Sequence, residues 1–204
     1  MKNYILLLLG FVVLHSCVSI KKEEVGVQKK AVLDQKLQEG EQTFAKAKFP
    51  EDYMGKWKGE LNIFNPSGKA QTIEMGLNIL PIDGSENLTF TIIYGEDKPE
   101  NYRNYELITV DKEKNTYLMD EKNSILIDAY YVGGKLFQTF EVVGNLIACT
   151  LSKKGSNLYW EISSTKLDNQ KVTGGQEHEG EDIAEVKSYR TKVFQEGILS
   201  RMSH

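Results

Sequence analysis

Five polar side chains interrupt runs that are otherwise apolar or aromatic: Arg103, Glu106, Asp128, Gln138 and Glu141. Around them stand Tyr94, Tyr105, Tyr130, Tyr131 and Phe140. An Arg–carboxylate pair set among rings inside a cavity can orient a ligand headgroup while the rings take its apolar body. An inward charge needs a partner, because unpaired buried charge is costly; placement toward solvent is the plainer alternative. Arg103, Glu106, Tyr105, Asp128, Tyr131 and Phe140 are therefore the candidate ligand contacts. Catalysis has less to draw on. His15 follows an apolar run near the start, His178 lies among Glu177, Glu179, Glu181 and Asp182, and His204 ends the chain. No Ser–His–Asp or Cys–His set falls on regular elements. No spacing matches a zinc site, and Gly133-Gly134 has no helix after it to form a phosphate loop. The acidic stretch around His178 reads as solvated loop. No catalytic residue, metal or cofactor is expected, and the chain is not expected to be an enzyme.

These side chains need elements to hold them. Residues 55–64 alternate, with Trp57, Gly59, Leu61 and Ile63 on one face. The same alternation carries Ile73, Met75, Leu77 and Ile79, then Leu88, Phe90, Ile92 and Tyr94, then Tyr105, Leu107 and Thr109. Ile125, Ile127, Ala129 and Tyr131 follow, and later Leu158, Trp160 and Ile162. Turn-forming residues separate the runs, among them Asn65-Pro66-Ser67-Gly68 and the two-residue Gly133-Gly134. Short strands at regular spacing, with no helices between them, predict an all-β antiparallel sandwich or up-and-down barrel. Closure into a barrel of about 8–10 strands is favoured, because an open meander of this length leaves two unpaired edges.

The predicted domain spans residues 49–201. Residues 31–48 read as a short N-terminal helix that packs Phe44 against it. Residues 168–182 read as a long polar loop, and 183–199 as a closing strand or a short helix leading into one. The closing strand would pair back to residues 55–64.

A net charge of −4 argues against nucleic acid, which wants a basic face. There are two cysteines, Cys17 and Cys149. Cys149 sits in a strand-like run with no basic neighbour and reads as a buried small hydrophobe.

Met1-Lys2-Asn3 is a short basic start, and residues 4–14 are an apolar run too short to span a bilayer. This is the pattern of a secretion signal, residues 1–16. Its end, Leu14-His15-Ser16-Cys17, resembles the lipobox of bacterial lipoproteins, with His15 an unusual occupant. The resemblance implies lipidation of Cys17 and cleavage behind Ser16. A diacylglycerol with an added acyl chain gives stable membrane anchoring. Residues 17–30 are then a flexible tether. Position two after Cys17 is not Asp, which implies the outer membrane. Lys22-Glu23-Glu24 resembles the surface-export signal of Bacteroidetes lipoproteins, and it is equally what a solvated tether contains. Both a periplasmic and a cell-surface face stay open.

Gly55-Lys56-Trp57 at the start of the first strand resembles the opening of the lipocalin and calycin superfamily. The strand count is similar to its ten-stranded branch. The resemblance implies that Trp57 and Gly55 are structural residues of the barrel floor. It implies that a basic residue of the last strand packs across Trp57, with Arg190 and Arg201 both candidates. It also implies a lumen for a small apolar or amphipathic ligand of about 300 Å³ or more. A packed interior would instead make the barrel a structural or interaction module of the envelope. Some barrels of this kind hold haem through a His, but His178 is poorly placed for it.

Overall fold

The computed structural model describes residues 47–168 and 170–203. The expected signal peptide, Cys17, the tether, Phe44 and the helical lead-in up to residue 46 lie outside the described residues.

The alternation beginning at Gly55 is realised as strands. They are β1 (Gly55–Asn65), β2 (Gly68–Pro81), β3 (Leu88–Tyr94), β4 (Tyr102–Asp111), β5 (Thr116–Asp120), β6 (Leu126–Val132), β7 (Lys135–Val142), β8 (Asn145–Lys154) and β9 (Asn157–Lys166). Four short strands follow: β10 (Lys171–Thr173), β11 (Glu177–His178), β12 (Glu181–Asp182) and β13 (Val186–Ser188). The last is β14 (Thr191–Arg201). Strands β1–β9 and β14 close into one ten-stranded antiparallel barrel. Its seam pairs β1 with β14, from Trp57 opposite Arg201 to Phe64 opposite Phe194. Every barrel strand thereby gains two neighbours, although β6 and β7 pair only from Tyr130 opposite Phe137 to Val132 opposite Lys135.

Period-two alternation sends one face of each strand inward. Trp57, Leu61, Met75, Leu77, Ile79, Phe90, Leu107, Leu151, Leu158 and Leu199 are all but inaccessible to solvent and form the core. Each such side chain contributes about 1.5–3 kcal/mol of burial. One position on this face must be glycine. A Cβ on Gly59 would lie 2.0 Å from the carbonyl oxygen of Ile198, so only a bare Cα lets β1 approach β14 here.

The two ends of the barrel differ. One carries the β2–β3, β4–β5, β6–β7 and β8–β9 turns; the other carries the β1–β2, β3–β4, β5–β6 and β7–β8 connections and the segment between β9 and β14. The first end is plugged by the turn that precedes β1. Phe49 stacks on Tyr131 with centroids 4.7 Å apart and meets Tyr53 and Tyr117 edge-on. The Tyr53 hydroxyl donates to Gly134 O and accepts from Lys153 N, both at 3.0 Å. Tyr131 Oη donates to Ala47 O at 2.8 Å. Trp57 Nε1 donates to Tyr53 O at 2.8 Å, so the barrel's first buried ring also holds the plug.

Between β9 and β14 the chain is not the plain loop that its polarity predicts. β10 pairs with β13 and β11 with β12, and hydrogen bonds between Gly175 and Ile183 and between Ile183 and Gln176 link the two pairs. The segment is one hairpin arm, all of whose strand residues are exposed. Glu179 (φ 53°) and Gly180 (φ 82°) make its two-residue tip, the left-handed pair that a tight hairpin needs. None of the arm's strand residues is buried, so hydrophobic alternation does not reveal it. The closing element is strand throughout, with no helix before it.

Candidate functional site

A cavity of about 130 Å³ lies in the half of the lumen away from the plug. Its walls come from β3 to β9. The rings of Phe90, Tyr94, Tyr105, Phe140 and Trp160 share it with Ile92, Met119, Ile127, Ile147 and Ile162. The polar or ionisable residues in its lining, besides the two tyrosines and Trp160, are Gln138, Cys149 and Glu121. Tyr94, Tyr105, Glu121, Phe140 and Ile147 sit at the strand ends of the unplugged side, so the cavity faces that end.

Alternation explains each placement. Counted from the Gly133-Gly134 turn, Leu136, Gln138 and Phe140 share the inner face of β7, while Phe137, Thr139 and Glu141 look out. On β9 the inner set is Leu158, Trp160 and Ile162. Across β7, β8 and β9, Gln138 is level with Cys149 and Ile162, and Trp160 stands one inward step nearer the plug, level with Leu151.

Two donors in this wall have no use within the fold. Gln138 is 9% exposed and Trp160 5%. Neither Gln138 Nε2 nor Trp160 Nε1 has a hydrogen-bond partner among the described residues. An unmet buried donor costs about 1–3 kcal/mol, so native folds keep few of them.

Burial sets the chemistry of the other groups. It pushes the Cys149 thiol up to about 12, which makes it a neutral wall group rather than a nucleophile. Burial also raises the Tyr94 and Tyr105 hydroxyls; Glu121 adds to the effect at Tyr105, and Arg103 opposes it at both rings.

The six residues singled out from sequence divide. Tyr105 and Phe140 line the cavity. Tyr131 faces inward at the opposite end, where it belongs to the plug. Arg103 is exposed, and its Nη1 donates to Tyr102 O at 3.0 Å and to Glu100 O at 3.4 Å. Asp128 is exposed between the inward Ile127 and Ala129. Glu106 lies on the outer surface, where it accepts from Asn87 Nδ2 at 2.7 Å and from Lys122. Lys122, the largest influence, and then Asn87 hold its carboxyl below the usual range. Among the described residues no Arg–carboxylate pair enters the lumen, because the alternation that buries Leu107 and Ile127 turns Glu106 and Asp128 outward. Sequence reasoning passed over Trp160 as core. Gln138 was visible as a polar interruption, but the missing partner was not.

At the floor, the guanidinium carbon of Arg201 lies 4.5 Å from the centroid of Trp57, and its Nη2 donates to Asp52 O at 3.2 Å. A Cβ on Gly55, whose φ is +136°, would come within 2.8 Å of Arg201 Nη1. Gly55 therefore leaves room for the arginine to cross the ring. Arg190 is instead exposed at the base of the arm. His178 is exposed at the arm's tip and does not line the cavity. No helix among the described residues is long and apolar enough to cross a membrane.

The chain thus defines a closed, ten-stranded antiparallel barrel, plugged at one end and hollow toward the other. No protein-family model matches it, and no curated protein matches it. Among solved structures it is similar to a protein of unknown function of the DUF3598 family from Nostoc punctiforme, with a TM-score of 0.50 and 13% identity. The match covers 74% of this chain and 48% of that one, so the chain spans about half the length of the protein it resembles. At that identity the likeness speaks to the fold alone.

Proposed function

We propose that this chain is a lipid-anchored envelope protein whose barrel binds a small, mainly apolar molecule in its lumen. One observation carries the binding: a cavity of about 130 Å³ walled by rings and isoleucines, with Gln138 and two tyrosines among its lining residues. A small molecule with a mainly apolar body suits these walls.

The volume sets the size of that ligand. At about 130 Å³ the cavity falls short of the 300 Å³ expected for a typical ligand pocket. It is close to the ~150 Å³ of an engineered apolar cavity that takes up benzene. A single ring or a short branched chain fits; a long acyl chain does not. Arg201 across Trp57 supports the calycin-like reading, in which a basic residue of the last strand covers that ring. The anchor rests on the residues around Cys17.

Native mass spectrometry and ligand-observed NMR of the full-length protein with single-ring compounds test the binding. Saturable uptake of at least one compound, lost in Phe140→Trp, which fills the space, supports it. No uptake leaves a filled barrel. Cys17→Ala should release the protein from membranes; unchanged association sinks the anchor.

A second reading is a protein-interaction module. The exposed arm, with Val172, Ile183, Val186 and Tyr189 accessible, favours it.

A further inference from the structure

Resting on the interaction reading of the arm, and independent of the lumen, we infer that the arm pairs with the arm of a second copy of this chain. The two arms run antiparallel about a two-fold axis, and the acidic tip of each seats on the cationic base of the other. The distribution of charge along the arm carries this. Glu177, Glu179, Glu181 and Asp182 surround the tip, where Glu177 stands opposite Asp182 and His178 opposite Glu181. Lys171, Lys187, Arg190 and Lys192 stand at the base. There Lys171, Arg190 and Lys192 line one hollow together with Gln170 and a single acid, Asp168. Glu185, between the two ends, is paired with Lys187 at 3.6 Å. All of these residues are exposed.

The backbone points the same way. Among the described residues β10 pairs only with β13 and β11 only with β12, so both sides of the ribbon keep an open hydrogen-bonding edge. A two-stranded ribbon is marginally stable in water without further strands or a covered face. This ribbon has neither, and Val172, Ile183, Val186 and Tyr189 stay accessible along it. From the Lys171–Ser188 pair to the Glu179–Gly180 tip it runs about 25 Å at a strand's rise per residue. Two such arms side by side keep their barrels at opposite ends. A two-fold axis makes the same contact twice and closes the assembly at two copies. A partner of one charge sign would be repelled at one end of the arm, whereas an inverted copy of the arm is matched at both.

Sedimentation velocity on the full-length protein tests this. The parent should form a dimer that weakens about tenfold or more as salt rises from about 0.05 M to about 0.5 M, because the charges are exposed and screening shortens their reach. A tip variant, Glu177→Lys/Glu181→Lys/Asp182→Lys, and a base variant, Lys171→Glu/Arg190→Glu/Lys192→Glu, should each stay monomeric where the parent is dimeric. An equimolar mixture of the two should dimerise again, because each reversed end meets its opposite. Every substituted residue is exposed, so both variants should keep the parent's urea transition. If either loses it, the neutral variants Glu177→Gln/Glu181→Gln and Lys171→Gln/Lys192→Gln take their place, and each should weaken the dimer several-fold. A monomeric parent, a dimer indifferent to the substitutions, or a mixture that stays monomeric overturns the inference but leaves the arm open to a different partner. Arm amides that exchange at the unprotected rate both in the purified protein and in isolated membranes would remove the interaction reading as well.

Discussion

Arg201 covers Trp57: a guanidinium on the last barrel strand lies 4.5 Å from the centroid of a fully buried ring on the first. The contact sits where the seam of the barrel meets the plug, since Arg201 also donates to Asp52 O and Trp57 to Tyr53 O. Arg201→Met should lower stability to urea by about 1 kcal/mol. Arg190→Met, at an exposed site, should stay within about 0.5 kcal/mol of the parent. Equal effects would mean that the ring contact does not hold the seam.

Gly59 and Gly197 face their neighbours across the same seam with unequal room. A Cβ on Gly59 would lie 2.0 Å from Ile198 O, whereas one on Gly197 would meet Leu61 Cδ1 and Met75 Sδ at 3.4 Å. Gly59→Ala should cost about 2 kcal/mol or more, because backbone must move. Gly197→Ala should cost clearly less. The reverse order in chemical denaturation would contradict the packing of β1 on β14.

Cys149 provides a reporter from inside the lumen. Burial raises its thiol from an ordinary value of 9.0 to about 12. Native protein at pH 8 should react slowly with a thiol reagent, and unfolded protein quickly. The folded value lies above the unfolded one, so the thiol's contribution to stability is intact below pH 9 and is lost as pH rises from 9 toward 12. Cys149→Ala should lose less stability than the parent across that interval. Parallel curves would show that the thiol is not buried as described.

On the outer surface, Lys122 bridges Glu106 and Asp120. Both carboxyls are held below their usual range, Glu106 chiefly by the Lys122 side chain and Asp120 chiefly by the Lys122 backbone N–H. Their contribution is present above the ordinary carboxylate pKa and fades as pH falls through it toward the lower folded value. Glu106→Gln should therefore flatten the acid limb of the stability profile, cost under about 1 kcal/mol at pH 7, and leave ligand binding unchanged. Lost binding in Glu106→Gln would return Glu106 to the site.

The arm should be separable from the barrel. Thr165 already pairs with Thr191, so a short turn can join β9 to β14 once the chain between β9 and β14 is removed. The shortened protein should unfold within a few degrees of the parent and keep its lumen binding. Collapse of the barrel would show that the arm is part of the fold.

Much of the architecture was legible because it rests on a local rule. Trp57, Leu61, Met75, Leu77 and Ile79 each declare their face by alternation, and Gly133-Gly134 declares a turn. The arm was not legible: its pairing comes from turn geometry at Glu179-Gly180 and leaves every strand residue in water. The plug was not legible either. Phe49 and Tyr53 lie just ahead of β1, and their partners Tyr117, Tyr131 and Gly134 are tens of residues away.

The amino-acid order by itself determined an all-β antiparallel fold and favoured closure over a sandwich, since period two and short turns bury one face of each strand; the pairing of β1 with β14 decided the closure. It also supplied both arginines that might have crossed Trp57. Only the tertiary structure chose Arg201, because that choice depends on which residue of β14 lies opposite β1. The site was decided the same way. Whether a polar residue is a ligand contact depends on its face and on whether a neighbour already uses its hydrogen bonds. Glu106 faces outward and is matched; Gln138 faces inward and is not.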